Sequence, residues 1–378
     1  MRVLVSIPEE THLEIIQYDI QGLRDKGFVV DTVQYGGKKG SKGLVGRLRL
    51  TLANALKIRG LMAKRGYQIV QINSAFDFMA LVRDFLTVHI ISRSRSKLVF
   101  KFHGSDETLL RTGNPLFARF IGDLRDIADG FMVLSTEEKQ NFLRAGFPEQ
   151  KLFVVKNAVN GARYARDASF RFSHGIPEDS IVLLFVGRFI PSKGLIDLLE
   201  ACSRLKKAGR EFRLLCLGDG PLRNIVYEKT IALDLTERVR FLGFIPEAST
   251  KTYYANSDIL VLPTYHQEGF PMAVFQAVAA GISAITTKIR AAADYLKEPD
   301  NCMWVQAGNP EQLAQQIDFL IQHPEFRKRM GENNKRLAYR FAPDQVVEDY
   351  VGVYERLLTE GKRRAAVNQG SDQMVNAG

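Results

Sequence analysis

Two short stretches of this 378-residue chain set polar side chains beside glycine turns and a helix start. In "EGFPMAVFQAVAAG", residues 268–281, Glu268 stands on a Gly-Phe-Pro turn, and Gln276 falls in the second turn of the apolar helix that follows. In "VGRFIPSKG" an apolar strand stops at Gly187, Arg188 follows at once, and Lys193 occupies a Pro-Ser-Lys-Gly turn that enters the next helix. Arginine offers a planar fork to phosphate oxygens and lysine a mobile point charge, so the pair suits a diphosphate. The helix beginning near Pro271 directs unpaired N–H groups and a partial positive charge back toward its loop, a second element that favours an anion. Glu268 reads in two ways: as a cap on that helix, because acids favour helix starts, or as an acceptor for the hydroxyls of a bound sugar. On the second reading Gln276 reaches another hydroxyl-bearing part of the same ligand.

Elements that alternate between strand and helix position these residues. "RVLVSI", "FVVDTVQY", "YQIVQINS", "KLVFKFHG", "GFMVLS" and "KLFVVKNAV" read as strands with helical patterns between them. Residues 161–178 carry no sustained periodicity and read as a linker. The pattern then restarts with "SIVLLFVG", "FRLLCLGDG", "VRFLGF" and "DILVLPT". The expected class is α/β, with two doubly wound Rossmann-like domains over 1–163 and 164–342 facing one another across a cleft. A helix over 343–360 is expected to cross back to the first domain, and 361–378 reads as a disordered tail. In open parallel sheets ligands bind beyond the carboxyl ends of the strands, where Arg188, Lys193 and Glu268 fall.

Composition narrows the function classes. With 46% hydrophobic residues the chain can bury two cores, so a disordered or purely structural role is not expected. The start "MRVLVSIPEE" lacks the apolar core of a signal peptide, and no stretch is long and apolar enough to span a bilayer, so a cytoplasmic protein is expected. Cys202, Cys216 and Cys302 lack the spacing of a disulfide framework or zinc site and read as core packing. The net charge of +10 is concentrated in residues 1–170, with 26 Lys and Arg against 17 Asp and Glu. No acid intervenes between Asp31 and Asp77, a run that includes Lys38, Lys39, Lys42, Arg47, Arg49, Lys57, Arg59, Lys64 and Arg65. Leu44, Val45, Leu48, Leu52, Ala55 and Leu56 recur there at helical spacing, which fits either a helix lying on an anionic membrane surface or a solvated helix with its stripe in the core. Phe76, Phe78, Met79, Leu81, Val82, Phe85 and Leu86 either extend that surface or form a buried helix. The basic run lacks interleaved aromatics and any recognised nucleic-acid module, so no nucleic-acid partner is expected.

"LLFVGRFIPSKG", "LLCLGDGPLR", "VRFLGFIP", "ANSDILVLPTYHQEGFPMAVFQAVAAG", "FKFHGSD" and "VVKNAVN" resemble, in order and spacing, the retaining glycosyltransferases of family four, which have the GT-B fold. The resemblance spans roughly residues 98–358. It implies that Arg188 and Lys193 bind the diphosphate of a nucleotide-sugar donor, UDP- or GDP-linked. Glu268 would contact the donor sugar, with Gly269, Phe270 and Pro271 forming the turn and helix start beside it. His103 would lie near the transferred sugar and act with Glu268 at the reacting centre. Gly243 and Phe244 would border the nucleobase, and Gln276 would meet the ribose.

Departures from the family pattern are informative. Family members usually carry a glutamate where this chain has Gln276, and an amide there loses the charge-assisted part of its bond, about 1 kcal/mol. A family Gly-Gly pair is replaced by "IRAAADYL", and a glycine-rich N-terminal loop by "SIPEETHLE", where Glu9, Glu10 and His12 either line the acceptor pocket or cap a helix. No Asp-x-Asp pair occurs, so no metal and no cofactor are expected. The resemblance implies hexose transfer with retention, and the basic first half favours a sugar acceptor linked to lipid, with the protein peripheral on the inner face of the cell membrane. Two alternatives stay open: a nucleotide-sugar epimerase of the same fold, and a catalytically impaired membrane-associated homologue.

Overall fold

Short runs rich in Val, Ile, Leu and Phe become strands here because helices cover both faces of each sheet, so neither face asks for polar residues. The computed structural model describes residues 1–8, 13–36, 43–92, 95–161 and 164–375, excluding the side chains of residues 13, 14, 44 and 360–375. It divides into two units, the first comprising Met1–Ala158, Glu268–Phe270 and Pro343–Gly378, the second Val159–Gln267 and Pro271–Ala342.

The first unit runs β1 (Arg2–Ile7), α1 (Leu13–Asp25), β2 (Val29–Gln34), α2 (Leu44–Arg65), β3 (Ile69–Phe76), α3 (Phe78–Ile91), β4 (Lys97–Ser105), α4 (Glu107–Leu110), α5 (Pro115–Ile127), β5 (Gly130–Val133), α6 (Thr136–Arg144) and β6 (Leu152–Val154). The second runs α7 (Phe170–Ser173), β7 (Ile181–Val186), α8 (Leu195–Lys207), β8 (Phe212–Leu217), α9 (Arg223–Ala232), β9 (Val239–Gly243), α10 (Glu247–Ala255), β10 (Ile259–Leu262), α11 (Met272–Ala280), β11 (Ser283–Thr286), α12 (Arg290–Tyr295), β12 (Met303–Trp304), α13 (Pro310–Gln322) and α14 (Pro324–Ala338). The last helix, α15 (Pro343–Val375), belongs to the first unit.

Both sheets have six parallel strands, ordered β2-β1-β3-β4-β5-β6 and β12-β11-β10-β7-β8-β9. Each order reverses at one place, between β1 and β3 in the first sheet and between β7 and β10 in the second. Connections leave those neighbouring strands toward opposite faces, which opens a crevice at their carboxyl ends. The loops carrying Arg188 and His266 leave β7 and β10 there.

Val346, Val347, Tyr350, Val353, Tyr354 and Leu357 of α15 pack with Val3, Val5, Ile16, Ile20 and Val99 in one core of the first unit. Beneath them the Tyr350 hydroxyl donates to Asp19, Lys101 donates to Tyr350, and the Lys101 ammonium lies 3.6 Å from the Asp19 carboxylate. Burial pushes the Asp19 carboxyl up and the Lys101 ammonium down, and each opposes the other's shift.

Several expectations are corrected. Residues 164–178 of the expected linker are packed onto the second unit: Phe170 is buried against His174 and Tyr253, and Arg171 donates to the Pro177 and Ser180 carbonyls. A four-residue helix is too short to show periodicity, which is why the segment reads as irregular. Helix α15 is described as far as Val375. On α2 the core-facing residues are Ala55, Ile58 and Met62, while Val45, Leu48, Leu52 and Leu56 are exposed. On α3, Leu81 and Val88 are buried and Phe78 and Met79 exposed. Cys202, Cys216 and Cys302 are buried free thiols. Glu9, Glu10, His12, Lys38, Lys39 and Lys42 lie outside the described residues.

Candidate functional site

At the reversal between β7 and β10 the two loops are stitched together through Ser192. Its carbonyl accepts from the Tyr265 and His266 amides at 2.9 and 3.1 Å and from Thr264 Oγ1 at 3.0 Å. Its hydroxyl lies 3.1 Å from His266 Nδ1, and Arg188 reaches His266 Nε2 at 3.4 Å. A guanidinium only donates, so Nε2 accepts and Nδ1 carries the ring proton toward Ser192. Arg188 is exposed, whereas Lys193, on the turn before α8, is 3% exposed. His266 escaped the sequence reading, although it stands two residues before Glu268 in the same motif.

The loop after β8 closes on this pair. Phe189 donates to the Asp219 carbonyl at 2.9 Å, and Leu222 donates to the Phe189 carbonyl at 3.0 Å. Gly218 has φ +135, and a Cβ there would stand 2.0 Å from the Gly187 carbonyl oxygen, so the close approach admits no side chain. Gly218 in turn donates to the Gly243 carbonyl at 2.8 Å, which ties the loop after β9 to the same array. Phe244 projects from that loop 77% exposed. Three residues on, Glu247 opens α10 and accepts from Gln276 Nε2 at 2.9 Å.

Helix α11 has Pro271 at its N-cap, with no side-chain bond, so Glu268 does not occupy the cap position. Glu268, Gly269 and Phe270 group with the first unit, apart from the helix they precede. A Cβ on Gly269 would stand 2.5 Å from Glu138 Oε2, so a side chain there would have to displace the Glu138 carboxylate. Glu138 is buried and accepts from the Leu134 amide at 3.0 Å and the Ser105 hydroxyl at 2.7 Å. Arg290, in the segment replacing the family's Gly-Gly pair, keeps a glycine-like backbone with φ +47 and is 2% exposed. A left-handed arginine costs about 1–2 kcal/mol, so its surroundings must hold it there.

In the first unit His103, at the carboxyl end of β4, directs Nε2 to Asn73 Oδ1 at 3.1 Å. Asn73 Nδ2 donates to the Ser6 carbonyl at 2.7 Å, and the Asn73 amide donates to Ser6 Oγ at 2.8 Å. A carbonyl accepts only, so the Asn73 side chain has one orientation and His103 Nε2 must carry a proton. Gln71 Nε2 also donates to Asn73 Oδ1, at 3.2 Å, and Tyr354 donates to Gln71 Oε1. Gln71 and Asn73 are polar residues at alternate positions of a strand that otherwise holds only Ser74 among apolar residues, a pattern visible in the sequence.

Among the described residues no helix is long and apolar enough to cross a membrane. Residues 167–337 match the family model described as glycosyl transferases group 1, and residues 22–163 match that of glycosyltransferase family 4. An uncharacterized glycosyltransferase of Methanocaldococcus jannaschii is 27% identical over 55% of this chain and 55% of its own length. The capsular polysaccharide biosynthesis glycosyltransferase CapM of Staphylococcus aureus is 26% identical over 50% of each chain. The present chain thus spans about half the length of these two relatives. Anabaena HepE, solved in complex with UDP and glucose, superposes with a TM-score of 0.75 over 94% of this chain and 99% of its own, at 17% identity.

Proposed function

Because the chain belongs to the group 1, family four glycosyltransferases and has their GT-B fold, we propose that it moves a hexose from a nucleotide-diphosphate sugar to a lipid-linked sugar acceptor, with retention, in cell-surface polysaccharide assembly. The observation that supports this reading is the pair of stitched loops at the sheet reversal, with Arg188 and Lys193 both in the loop that leaves β7. The HepE complex with UDP supports a nucleotide-linked donor, and the role in CapM's name supports a polysaccharide product.

In this reaction the bond from the anomeric carbon to the diphosphate oxygen breaks, and its electron pair leaves with the diphosphate. The acceptor oxygen bonds to the same face, and its proton passes to the departing phosphate oxygen. Arg188, Lys193 and the start of α11 stabilise the charge that develops there, the part a divalent metal would otherwise play. Glu268 accepts hydroxyl bonds from the sugar as it becomes oxocarbenium-like. His103 is assigned to the transferred sugar. The test is a thermal-shift screen of UDP- and GDP-sugars, followed by release of the nucleoside diphosphate with and without a polyprenyl-diphosphate sugar. A raised melting temperature and acceptor-dependent release are expected. Sugar interconversion without an acceptor would favour the epimerase, and no response to any nucleotide sugar would overturn the proposal.

A peripheral membrane position is supported by α2, whose exposed Val45, Leu48, Leu52 and Leu56 lie among exposed Arg47, Arg49, Lys57 and Arg59. Each cation near an anionic surface contributes about 1 kcal/mol at low salt. Vesicles containing phosphatidylserine are expected to carry the protein upward in flotation at low salt. A variant with these four cations replaced by glutamine should stay at the bottom. Equal flotation of that variant would remove the electrostatic basis.

A further inference from the structure

The second unit holds a basic cavity at the opposite edge of its sheet from the Arg188 and His266 loops. Its volume is about 430 Å³, and it lies at the amino ends of β10 and β11, walled by α14, the Ser257–Asp258 turn and the link from Gly281 to Ser283. We propose that this cavity binds a hydroxylated phosphate monoester, a sugar phosphate in chemical class, at a site separate from the donor loops. The assignment stands without the nucleotide-sugar reading above.

Arg327, Lys328, Glu332 and Lys335 line the cavity from one face of α14, because residues three and four apart on a helix are neighbours. Arg166 joins them from the segment before β7: the Asp167 amide donates to Asn256 Oδ1 at 3.0 Å, next to Ser257 and Asp258. Four cations thus face two carboxylates, Asp258 and Glu332. Asp258 is already engaged, since its Oδ2 accepts from the Val182 amide at 2.8 Å and lies 3.6 Å from Arg171. Arg327 is anchored through Nη1 on the Leu320 carbonyl at 2.5 Å, which leaves Nε and Nη2 without a hydrogen-bond acceptor among the described residues. Burial pushes its guanidinium down, and Asp258 opposes that shift. Two glycines bring the walls together. A Cβ on Gly331 would stand 2.3 Å from the Gly281 carbonyl oxygen, and one on Gly281, where φ is +72, would stand 2.4 Å from Lys335 Cε. Helix α14 therefore lies directly against the end of α11, with the Lys335 stem across Gly281.

A solvated helix face is the plain alternative, and it leaves these cations unexplained. Glu332 stands four residues after Lys328 and three before Lys335, yet it pairs with neither. Among the described residues Arg166, Lys328 and Lys335 make no side-chain hydrogen bond or ion pair. The partial negative charge at the end of α11 favours a lysine beside it, which accounts for Lys335 alone. Cations gathered in a concavity repel one another and concentrate counter-ions there. Their excess over the two carboxylates matches a phosphate monoester, which carries about two negative charges at pH 7. The volume falls within the roughly 300–1,000 Å³ of small-molecule sites, so the cavity has room for more than the phosphate. Apart from Ile282, Pro324 and the glycines its lining carries polar side chains, which suits a body bearing hydroxyls and gives an acyl chain or a base little to pack against. Helix α11, nine residues and so about 13 Å long, begins beside Pro271 and ends at Gly281 in the cavity wall, which keeps this site apart from the donor loops.

Calorimetry on the full chain with the 6-phosphates of glucose, galactose and mannose tests this. At least one should bind about tenfold more tightly than inorganic phosphate, and glucose itself should give no signal. Lys328→Gln with Lys335→Gln, both exposed positions, should weaken that binding about tenfold or more and leave the unliganded melting temperature near wild type. Arg327→Gln should weaken it too, but Arg327 also holds the Leu320 carbonyl, so the lysine pair is the deciding variant. Arg188→Ala should bind the ester as wild type does. Wild-type protein that binds none of the three esters, or a lysine variant that binds as wild type does, overturns the assignment. A loss in Arg188→Ala as large as in the lysine variant would put the ester in the donor loops and overturn it, whatever becomes of the donor reading. Inorganic phosphate bound as tightly as the esters would remove the hydroxylated body. Flotation on phosphatidic acid vesicles that depends on the lysine pair, with no binding of the free esters, would make this a lipid-headgroup site and overturn the soluble ligand.

Discussion

Protein carrying Arg188→Ala and Lys193→Ala together should show no rise in melting temperature with the nucleoside diphosphate that stabilises wild type. Hydrogen bonds to charged groups contribute about 1.5–3 kcal/mol each, so losing two weakens binding by roughly two to four orders of magnitude. Ligand at a hundred times its dissociation constant stabilises a protein by about 2.7 kcal/mol, and at the weakened affinity that gain falls close to zero. Lys193 is buried, so its removal could also disturb the turn before α8. Arg188 is exposed, and Arg188→Ala alone should retain the unliganded melting temperature while losing at least tenfold in affinity. Circular dichroism of the unliganded variants separates the two effects. A thermal response equal to that of wild type in the double variant would remove the diphosphate from this loop.

Glu268→Ala should reverse that pattern, with nucleotide binding and melting temperature near wild type and turnover reduced by about a hundredfold to a thousandfold. That magnitude is typical of removing one group that stabilises charge in a transition state. The capping reading of the same residue makes opposite claims: about 1 kcal/mol less stability and unchanged turnover. The structure already weighs against a cap, because Pro271 occupies that position. Measuring acceptor-dependent release alongside the melting temperature decides between the two, and full turnover in the variant would return Glu268 to a structural role.

Strand and helix alternation was legible because both sheets are parallel and covered on each face, so each strand announces itself as an apolar run. The polar loops at their carboxyl ends were legible for the complementary reason. Arg188 and Glu268 lie outside the core, whereas Lys193 of the same motif is buried. What escaped depends on distance in sequence. The bond from Gln276 to Glu247 spans 29 positions and the one from Arg188 to His266 spans 78, and neither partner carries a local signal of the other. The exposed stripe of α2 was ambiguous because periodicity gives the angle between two faces and leaves open which one meets the core. There Ala55 of the stripe took the interior with Ile58 and Met62, while Val45, Leu48, Leu52 and Leu56 stayed exposed.

The placement of α15 affects how the protein can be made. Tyr350 and Tyr354 supply the hydroxyls for Asp19 and Gln71, and Val346, Val347 and Leu357 seal the same interior, yet all follow the whole second unit in the chain. A ribosome moving at about 5–20 residues per second needs on the order of ten to forty seconds to cross that interval. Through it the nascent first unit carries an open apolar groove and an Asp19–Lys101 pair without its hydroxyl partner, and both are closed only once α15 has been made.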